Sequence, residues 1–211
     1  MIERFKQIFN FNKKEQLLDK TPEEKIQELF DSLNGEIITF KVGNDFTEFQ
    51  DIVNHEIANY REKLQKERGF VLPLIHVVSE DSLQENEFIV MIRERTVQQK
   101  FVIPNIKDIQ KEVLSSLEYI VDSELENLFS YEILEKYLNC SQQRQPWTIW
   151  NLTICYSLAE IKDVLVGLLR KDKSIKNIDY IFGKIVDITL ESGFCSHIPT
   201  NKIVEKLILK L

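Results

Sequence analysis

The sequence predicts an α+β fold, in which a small strand-helix-strand-strand layer precedes an all-helical C-terminal subdomain. Up to about residue 104, strand-length apolar runs surround one long amphipathic helix, and beyond it the apolar patterns have the helical period. The apolar fraction of 43% over 211 residues is ample for packed cores. We predict an amphipathic N-terminal segment at 1–20, the α+β subdomain at 21–104 and the helical subdomain at 105–211.

The first half of the chain begins with a predicted strand and a long helix. Residues 36–42, with the sequence EIITFKV, predict the strand. The helix is predicted to begin at Asp45, which can cap its N-terminus, and to end at Gly69. Glycine is common directly after a helix because it adopts the left-handed conformation without strain.

Two further strands are predicted at Phe70–Val78 and Phe88–Ile92, joined by a polar loop. Pro73 falls inside the first of these runs. Because proline donates no hydrogen bond to a strand ladder, we expect this strand to lie at a sheet edge or to contain a bulge.

The second half of the chain predicts helices only. Serine or threonine before an apolar helical pattern marks each helix start, and two of these serines are followed three residues later by glutamate, as in a capping box. The predicted starts are Ser123, Ser130, Ser157, Ser174 and Thr200. The irregular stretch around Trp147 and Trp150 predicts a loop with a short helix whose tryptophans pack on the bundle.

Composition and charge exclude several classes of function. The formal net charge is −7, and an acidic surface repels nucleic-acid phosphates, so we expect no nucleic-acid partner. Cys140, Cys155 and Cys195 are too widely spaced for a zinc knuckle or a disulfide framework. No apolar run approaches the roughly 20 residues that span a bilayer. These observations predict a cytoplasmic protein with reduced thiols.

The N-terminal segment is amphipathic and locally basic, without the small-residue cleavage site of a secretory signal. A helix this short is marginal alone in water. We expect it to dock on its own domain or on a neighbouring copy, and attachment to a membrane surface is the alternative. The predicted docking residues are Ile2, Phe5, Ile8 and Phe9.

Two basic groups are candidate partner-binding sites. Arg93 and Arg95 belong to the predicted strand end RERT, where alternating charges are typical of an exposed edge and where an arginine could also bind a carboxylate. Lys171, Lys173 and Lys176 belong to a basic turn between helices. Cations there favour a helix C-terminus, and the same charges could form a patch that binds a partner.

The sequence contains no recognisable catalytic constellation. It has no glycine-rich phosphate loop, no nucleophile elbow and no paired metal motif. His55 and His76 have no partner nearby in the sequence, and Cys195 with His197 supplies only half of a zinc ligand set. We therefore predict no catalytic residues, no metal ligands and no cofactor.

Three stretches, taken in order, resemble one family. They are EIITFKV at 36–42, the strand motif around Gly69, Phe70 and Pro73, and VLVGLLRKDKSIKNIDYIFG at 164–183. The chain resembles the cytoplasmic domain of the FlhA/FHIPEP family, the export gate of flagellar and virulence type III secretion. The likeness runs over roughly 36–98 and 105–190.

This resemblance implies a soluble, shortened relative of the family's members. Those proteins carry a transmembrane half before this region, and they insert a small α/β subdomain where this chain has QQKF at 98–101. The family's role implies protein partners and protein export or a repurposed adaptor function. It also implies self-association, in which the N-terminal segment docks on an adjacent copy.

The combined prediction is a non-enzymatic protein-interaction module. A peptide or helix would bind in an apolar groove between the two halves, or at the strand edge near Arg93–Val97. The alternative is a small-ligand-binding regulatory or enzymatic domain on the same fold, with a pocket near His76 and Arg93.

Overall fold

The computed structural model describes residues 38–102, 105–193 and 197–211, with the side chains of residues 45, 47 and 48 left out. The predicted docking residues Ile2, Phe5, Ile8 and Phe9 lie outside the described residues, as does Cys195. The strands are β1 (Ile38–Val42), β2 (Ile75–Ser79), β3 (Glu87–Ile92) and β4 (Arg95–Phe101). A 3-10 helix (Asn44–Phe49) precedes the α-helices, which are α1 (Gln50–Arg68), α2 (Ile106–Leu128), α3 (Tyr131–Arg144), α4 (Pro146–Cys155), α5 (Leu158–Arg170), α6 (Ile178–Glu191) and α7 (Thr200–Ile208). The predicted α+β class with a helical C-terminal part is confirmed.

The sheet has the strand order β2-β1-β3-β4. β1 pairs with β2 in parallel and with β3 antiparallel, so that Ile38 lies opposite both Ile75 and Ile92. Along β1 the side chains of Ile38, Phe40 and Val42 are buried, which is the alternation of a strand with one face on the core. Helix α1 connects the parallel pair, because parallel neighbours need a crossover.

The sheet has one strand more than the predicted layer. β4 pairs antiparallel with β3 through a tight turn at Arg93 and Glu94, whose φ angles are 47° and 65°. Two successive positive φ angles are the geometry of a type I′ hairpin turn. The turn was missed because it lacks the usual asparagine or glycine, and because β4 itself is polar and mostly exposed.

The run Phe70–Val78 is only in part a strand, since β2 begins at Ile75. β2 does lie at an edge of the sheet, as predicted, but Pro73 stands before it and not inside it. Residues 69–74 form instead a buried connection from α1 to β2, here called the junction segment, in which Phe70, Val71 and Leu72 are at most 1% exposed.

Three of the predicted helix starts are confirmed, at Ser130, Ser157 and Thr200. Ser157 and Glu160 form the predicted capping box. The start at Ser123 is wrong, because α2 continues through it and its hydroxyl donates to the Tyr119 carbonyl at 2.7 Å. The start at Ser174 is also wrong, because α6 begins at Ile178 behind an Asn177 cap.

The junction segment is held from the helical side by Tyr137 of α3. The Tyr137 hydroxyl donates to the Gly69 carbonyl at 2.5 Å and accepts the Val71 N–H at 3.3 Å. Its ring stacks on Phe129, which stacks in turn on Phe70, with both pairs of centroids 5.9 Å apart. Burial raises the pKa of the Tyr137 phenol, so the hydroxyl keeps the proton that it donates.

A second set of contacts joins the end of α1 to the turn after α5. The Ile175 N–H donates to the Arg68 carbonyl at 2.8 Å. The Arg68 guanidinium donates to the Leu169 carbonyl and lies 3.0 Å from an Asp172 carboxylate oxygen. Gly69 has φ of 69°, and a Cβ there would lie 2.4 Å from the Lys176 nitrogen. Only glycine meets both requirements at this position.

We expect Tyr137→Phe to destabilise the fold by about 1–3 kcal/mol, because it leaves a buried carbonyl and a buried N–H of the junction segment without their partner. Urea unfolding of both proteins measures the change. The matched control is Tyr119→Phe, which removes a hydroxyl from a ring that is half exposed. Equal stability of the two variants would contradict the role given to Tyr137.

We expect Arg68→Met to lower the unfolding free energy by about 1–3 kcal/mol and to speed amide hydrogen exchange at Lys173 and Ile175, because Met keeps the apolar stem and loses both polar contacts. Arg170→Met is the control: Arg170 pairs with Glu126 at 3.0 Å, but both side chains are at least half exposed. Its cost should stay within about 0.5 kcal/mol. Unchanged exchange at Lys173 in Arg68→Met would show that the turn does not depend on this guanidinium.

Candidate protein-interaction surface

The lysine turn, defined as Lys171, Lys173 and Lys176, follows the C-terminus of α5. Its backbone is fixed by the Arg68 contacts and by the Lys173 N–H, which donates to the Leu168 carbonyl at 3.0 Å. Lys171 and Lys176 are exposed and Lys173 is half-buried. Among the described residues, no carboxylate lies within ion-pair distance of these three ammonium groups. Among the described residues, the turn therefore presents three cations without an ion pair on an ordered backbone, with Asp172 between them paired to Arg68.

The helix dipole accounts for only part of this charge. Lys171 caps the C-terminus of α5, where a cation is favourable. Lys176 lies two residues before the first residue of α6, at the end of a helix where the dipole favours an anion instead. The helix dipole therefore does not account for the placement of Lys176.

Arg93 and Arg95 lie at a different place, near the corner between α2 and α3. Arg95 pairs with Glu124 at 2.7 Å. The pKa of Glu124 is lowered by a hydrogen bond from Asn127 and then by this arginine. The pKa of Glu132 is lowered mainly by a hydrogen bond with the Ser130 side chain, with smaller contributions from Arg93 and Lys162.

The two predicted basic groups do not form one patch. Arg95 pairs with Glu124 of α2, whereas Arg170, next to the lysine turn, pairs with Glu126 of the same helix. Two residues along a helix correspond to a rotation of about 200°, so the side chains of Glu124 and Glu126 point to nearly opposite sides of α2. Helix α2 therefore lies between Arg95 and Arg170. The lysine turn is a separate site from Arg93 and Arg95.

The pocket suggested for a small ligand near His76 and Arg93 has no counterpart in the sheet. His76 is exposed on edge strand β2, and Arg93 follows β3, with the whole of β1 between the two strands. The groove suggested between the two halves is filled by Phe70, Phe129 and Tyr137. In the described parts of the chain, no three His, Cys, Asp or Glu side chains converge as metal ligands would.

An exposed aromatic surface on α4 was missed from the sequence. The prediction that Trp147 and Trp150 pack on the bundle is wrong, since they are 75% and 51% exposed and contact each other edge to face at 6.0 Å. Ile154, one turn further, is 45% exposed, while Ile149 and Leu152 fill the core. The spacing of residues 147, 150 and 154 could have predicted this exposed surface, because these positions form a second helical stripe opposite the buried one.

The exposed α4 stripe borders a shallow apolar depression between α4 and α6. Its lining is Asn151, Leu152, Cys155, Tyr156, Val186, Thr189 and Leu190. Leu190, which lines this depression from α6, is itself half exposed. No charged residue occurs between Arg144 and Glu160. This aromatic surface, which we call the α4 face (Trp147, Trp150, Ile154 and Leu190), is therefore uncharged along α4.

An ion pair fixes α6 against α3 beneath the α4 face. The Arg144 guanidinium donates to both carboxylate oxygens of Asp179, one of them at 2.9 Å, and the Ser141 hydroxyl donates to Asp179 at 2.6 Å. Burial alone would raise the pKa of Asp179, but the hydrogen bonds from Arg144 and Ser141 lower it below its usual value. The carboxylate stays charged in the first turn of α6, where the dipole also favours it.

No helix among the described residues is long and apolar enough to cross a bilayer. Comparison with protein-family models found no match, and no curated protein matches the sequence.

Solved structures do resemble the chain. CdsV of Chlamydia pneumoniae aligns over 81% of this chain and 63% of its own, with a TM-score of 0.69 and 13% identity. CdsV in its complex with CdsO aligns over 80% of this chain and 67% of that one, with a TM-score of 0.64 and 13% identity. Nonameric SctV-C of EPEC aligns over 83% and 67%, with a TM-score of 0.64 and 13% identity.

The likeness to these structures is one of fold. The chain spans about three fifths of the length of the CdsV structure. The matched proteins are C-terminal cytoplasmic domains of export gate proteins of the FHIPEP family. The resemblance predicted from the strand and helix motifs is thereby confirmed, and the chain has the fold of those cytoplasmic domains.

Proposed function

We propose that this chain is a non-enzymatic protein-interaction module of a type III-like protein export system, acting in the cytoplasm. The observation that carries the proposal is the fold shared with export gate domains over 81% of the chain. One of the matched proteins was solved in a complex with a second protein and another as a nonamer. By analogy, this chain binds protein partners and associates with copies of itself.

The lysine turn is the part of the surface best suited to bind a partner. None of its three ammonium groups forms an ion pair with a described carboxylate, since Asp172 pairs with Arg68, and Arg68 orders the backbone that presents them. An acidic protein segment would supply the missing counter-charges. Binding would cost little conformational entropy in the lysine turn, because the backbone of the turn is already fixed. The expected partner therefore contacts the turn through aspartate and glutamate side chains.

A second contact is proposed at the hairpin end Arg93–Val97. β4 is an edge strand, so the outer side of its backbone has hydrogen-bonding groups that an added peptide strand could pair with. Arg93 is exposed in the hairpin turn and stands beside that edge. A partner that is bound at the lysine turn would reach the hairpin only by passing around α2.

We expect the triple substitution of Lys171, Lys173 and Lys176 by glutamine to weaken partner binding by about tenfold or more, because three exposed ion pairs are lost. The immobilised full chain is used to capture proteins from a lysate of the source cells, and the captured proteins are identified by mass spectrometry. Affinities of the purified partner for each variant are then measured at low and high salt.

The matched control for this experiment replaces Lys107, Lys202 and Lys206 by glutamine, which removes the same charge from exposed helical positions elsewhere. Binding that is insensitive to salt and equal in both triple variants would contradict the lysine turn as the site. Captured proteins that include no component of a protein export system would contradict the function itself. A rise in melting temperature with a small metabolite would favour the enzymatic or regulatory alternative.

Self-association gives a separate prediction. The 24.9 kDa chain should show a molar mass by light scattering that rises with concentration between about 1 and about 100 µM, as weak association requires. A constant monomer mass over this range would contradict the proposal that copies associate without a partner.

A further inference from the structure

We infer that two copies of this chain join through the outer edge of β2, which pairs antiparallel with the same strand of the second copy around a two-fold axis. This inference rests on the self-association proposed above and names the surface that carries it. β2 lies at one end of the sheet, with β1 as its only neighbour among the described strands. A strand in this position has a row of backbone groups with which another chain can pair.

The hydrogen bonds to β1 show which backbone groups of β2 point outward. The Glu80 N–H donates to the Val42 carbonyl at 2.9 Å, and Val42 has Ser79 as its register partner. In a parallel pair this pattern turns the N–H and C=O groups of the even-numbered residues of β2 toward β1, so those of the odd-numbered residues point outward. The outward residues are Ile75, Val77 and Ser79. No described residue forms a hydrogen bond with these outward groups.

A two-fold pairing centred on Val77 satisfies all of the outward groups. Val77 then lies opposite Val77 of the second copy, and Ile75 of each copy lies opposite Ser79 of the other. Each outward N–H donates to an outward C=O of the second copy, as in the hydrogen-bonded pairs of an antiparallel ladder. The two sheets become one continuous sheet, and the assembly closes at two copies because both use the same edge.

The two edges of the sheet differ in their protection against such pairing. β4 contains Arg95 and Lys100, and its register with β3 shifts at a bulge. Charged residues and bulges are common devices that keep edge strands from pairing. β2 has the sequence IHVVS, and the chain has no Lys, Arg, Asp or Glu from Gly69 to Ser79. Pro73 precedes β2 and lies outside the paired residues. β2 is therefore the edge at which a second strand meets neither device.

The side chains of β2 suit a second copy of the same strand. Val78 is 46% exposed and His76 is also exposed, both on the face of the sheet away from the core. The two-fold pairing places His76 of each copy opposite Val78 of the other, so the imidazole covers part of the valine. On the opposite face, half-buried Val77 packs against its own copy. The contact therefore removes apolar area from water on both faces.

Like charges do not lie opposite each other in this register. Glu80, the first charged residue after β2, pairs with Lys41 of its own copy at 3.0 Å. In the two-fold register Glu80 lies opposite the uncharged Leu74 of the second copy. Because like charges that face each other destabilise a strand pair, this arrangement favours the register centred on Val77.

Charge substitutions at two exposed positions test the edge and the register together. His76→Lys combined with Val78→Lys places lysines opposite lysines, so we expect self-association to weaken about tenfold or more. Light scattering between about 1 and about 100 µM measures it, and the mass of the unmodified chain should rise toward twice 24.9 kDa. An equimolar mixture of this variant with His76→Glu combined with Val78→Glu should recover the dimer, because each lysine then lies opposite a glutamate.

Thr96→Lys combined with Phe101→Lys is the matched control, since it adds two lysines at exposed positions of β4 and should leave self-association unchanged. Circular dichroism confirms that all variants are folded. Amide hydrogen exchange gives a second readout. The Val77 and Ser79 N–H groups should exchange more slowly as the dimer forms, whereas the Val78 N–H, which already points toward β1, should not change.

The possible results separate this inference from the proposed function. A constant monomer mass of the unmodified chain would contradict self-association itself, and the inference with it. Association that is equally strong in the lysine variant and in the control would contradict only the assignment to β2. Three further results would also overturn the inference: a mixture of lysine and glutamate variants that stays monomeric, a mass that rises above the dimer, and Val77 and Ser79 amides that are already protected in the monomer. The last would assign the β2 edge to another part of the same chain.

Discussion

The hydroxyl of Tyr137 is the contact on which the arrangement of the two halves depends. The junction segment is buried but belongs to no helix or sheet, so its backbone groups need partners from side chains. Tyr137 supplies two of them by donating to Gly69 and accepting from Val71, and Arg61 donates twice to the Leu72 carbonyl at 3.0 and 3.1 Å. Without these side chains, buried backbone groups of the segment would lose their hydrogen-bond partners, which is costly away from water.

The junction also gives a physical reason for the glycine, phenylalanine and proline in this part of the sequence. Gly69 provides the positive φ and the close approach to Lys176, and Phe70 begins the ring stack that includes Phe129. Pro73 is buried two residues before β2 begins, where its missing N–H leaves one donor fewer to be satisfied away from water. The proline that is a defect inside a strand is therefore favourable in a buried irregular segment. The same junction orders the lysine turn through Arg68, which links the fold to the proposed binding surface.

The sequence predicted the fold class, the order of the main elements and the family likeness, because these depend on apolar periodicity and local caps such as Ser157 with Glu160. Prediction from the sequence failed where tertiary packing determines the local structure or the exposure of a side chain. The capping pattern at Ser123 lies within a continuous buried stripe, so packing keeps α2 helical through it. β4 is polar because it is an exposed edge strand, and Trp147 and Trp150 were assigned to the core from their residue type alone. The location of the lysine turn relative to Arg93 could not be predicted, since it depends on the sides of α2 on which the neighbouring Arg170 and Arg95 form their ion pairs.

The lysine turn and the α4 face differ in chemistry. Lys176 precedes the first residue of α6, whereas Leu190, in the α4 face, stands in its last turn. A helix of this length separates its ends by about 20 Å. An acidic partner at the lysine turn is attracted by charge and weakened by salt, whereas an apolar helix on the α4 face is held by burial and tolerates salt. Binding at the lysine turn should therefore weaken as salt is raised, whereas binding at the α4 face should not.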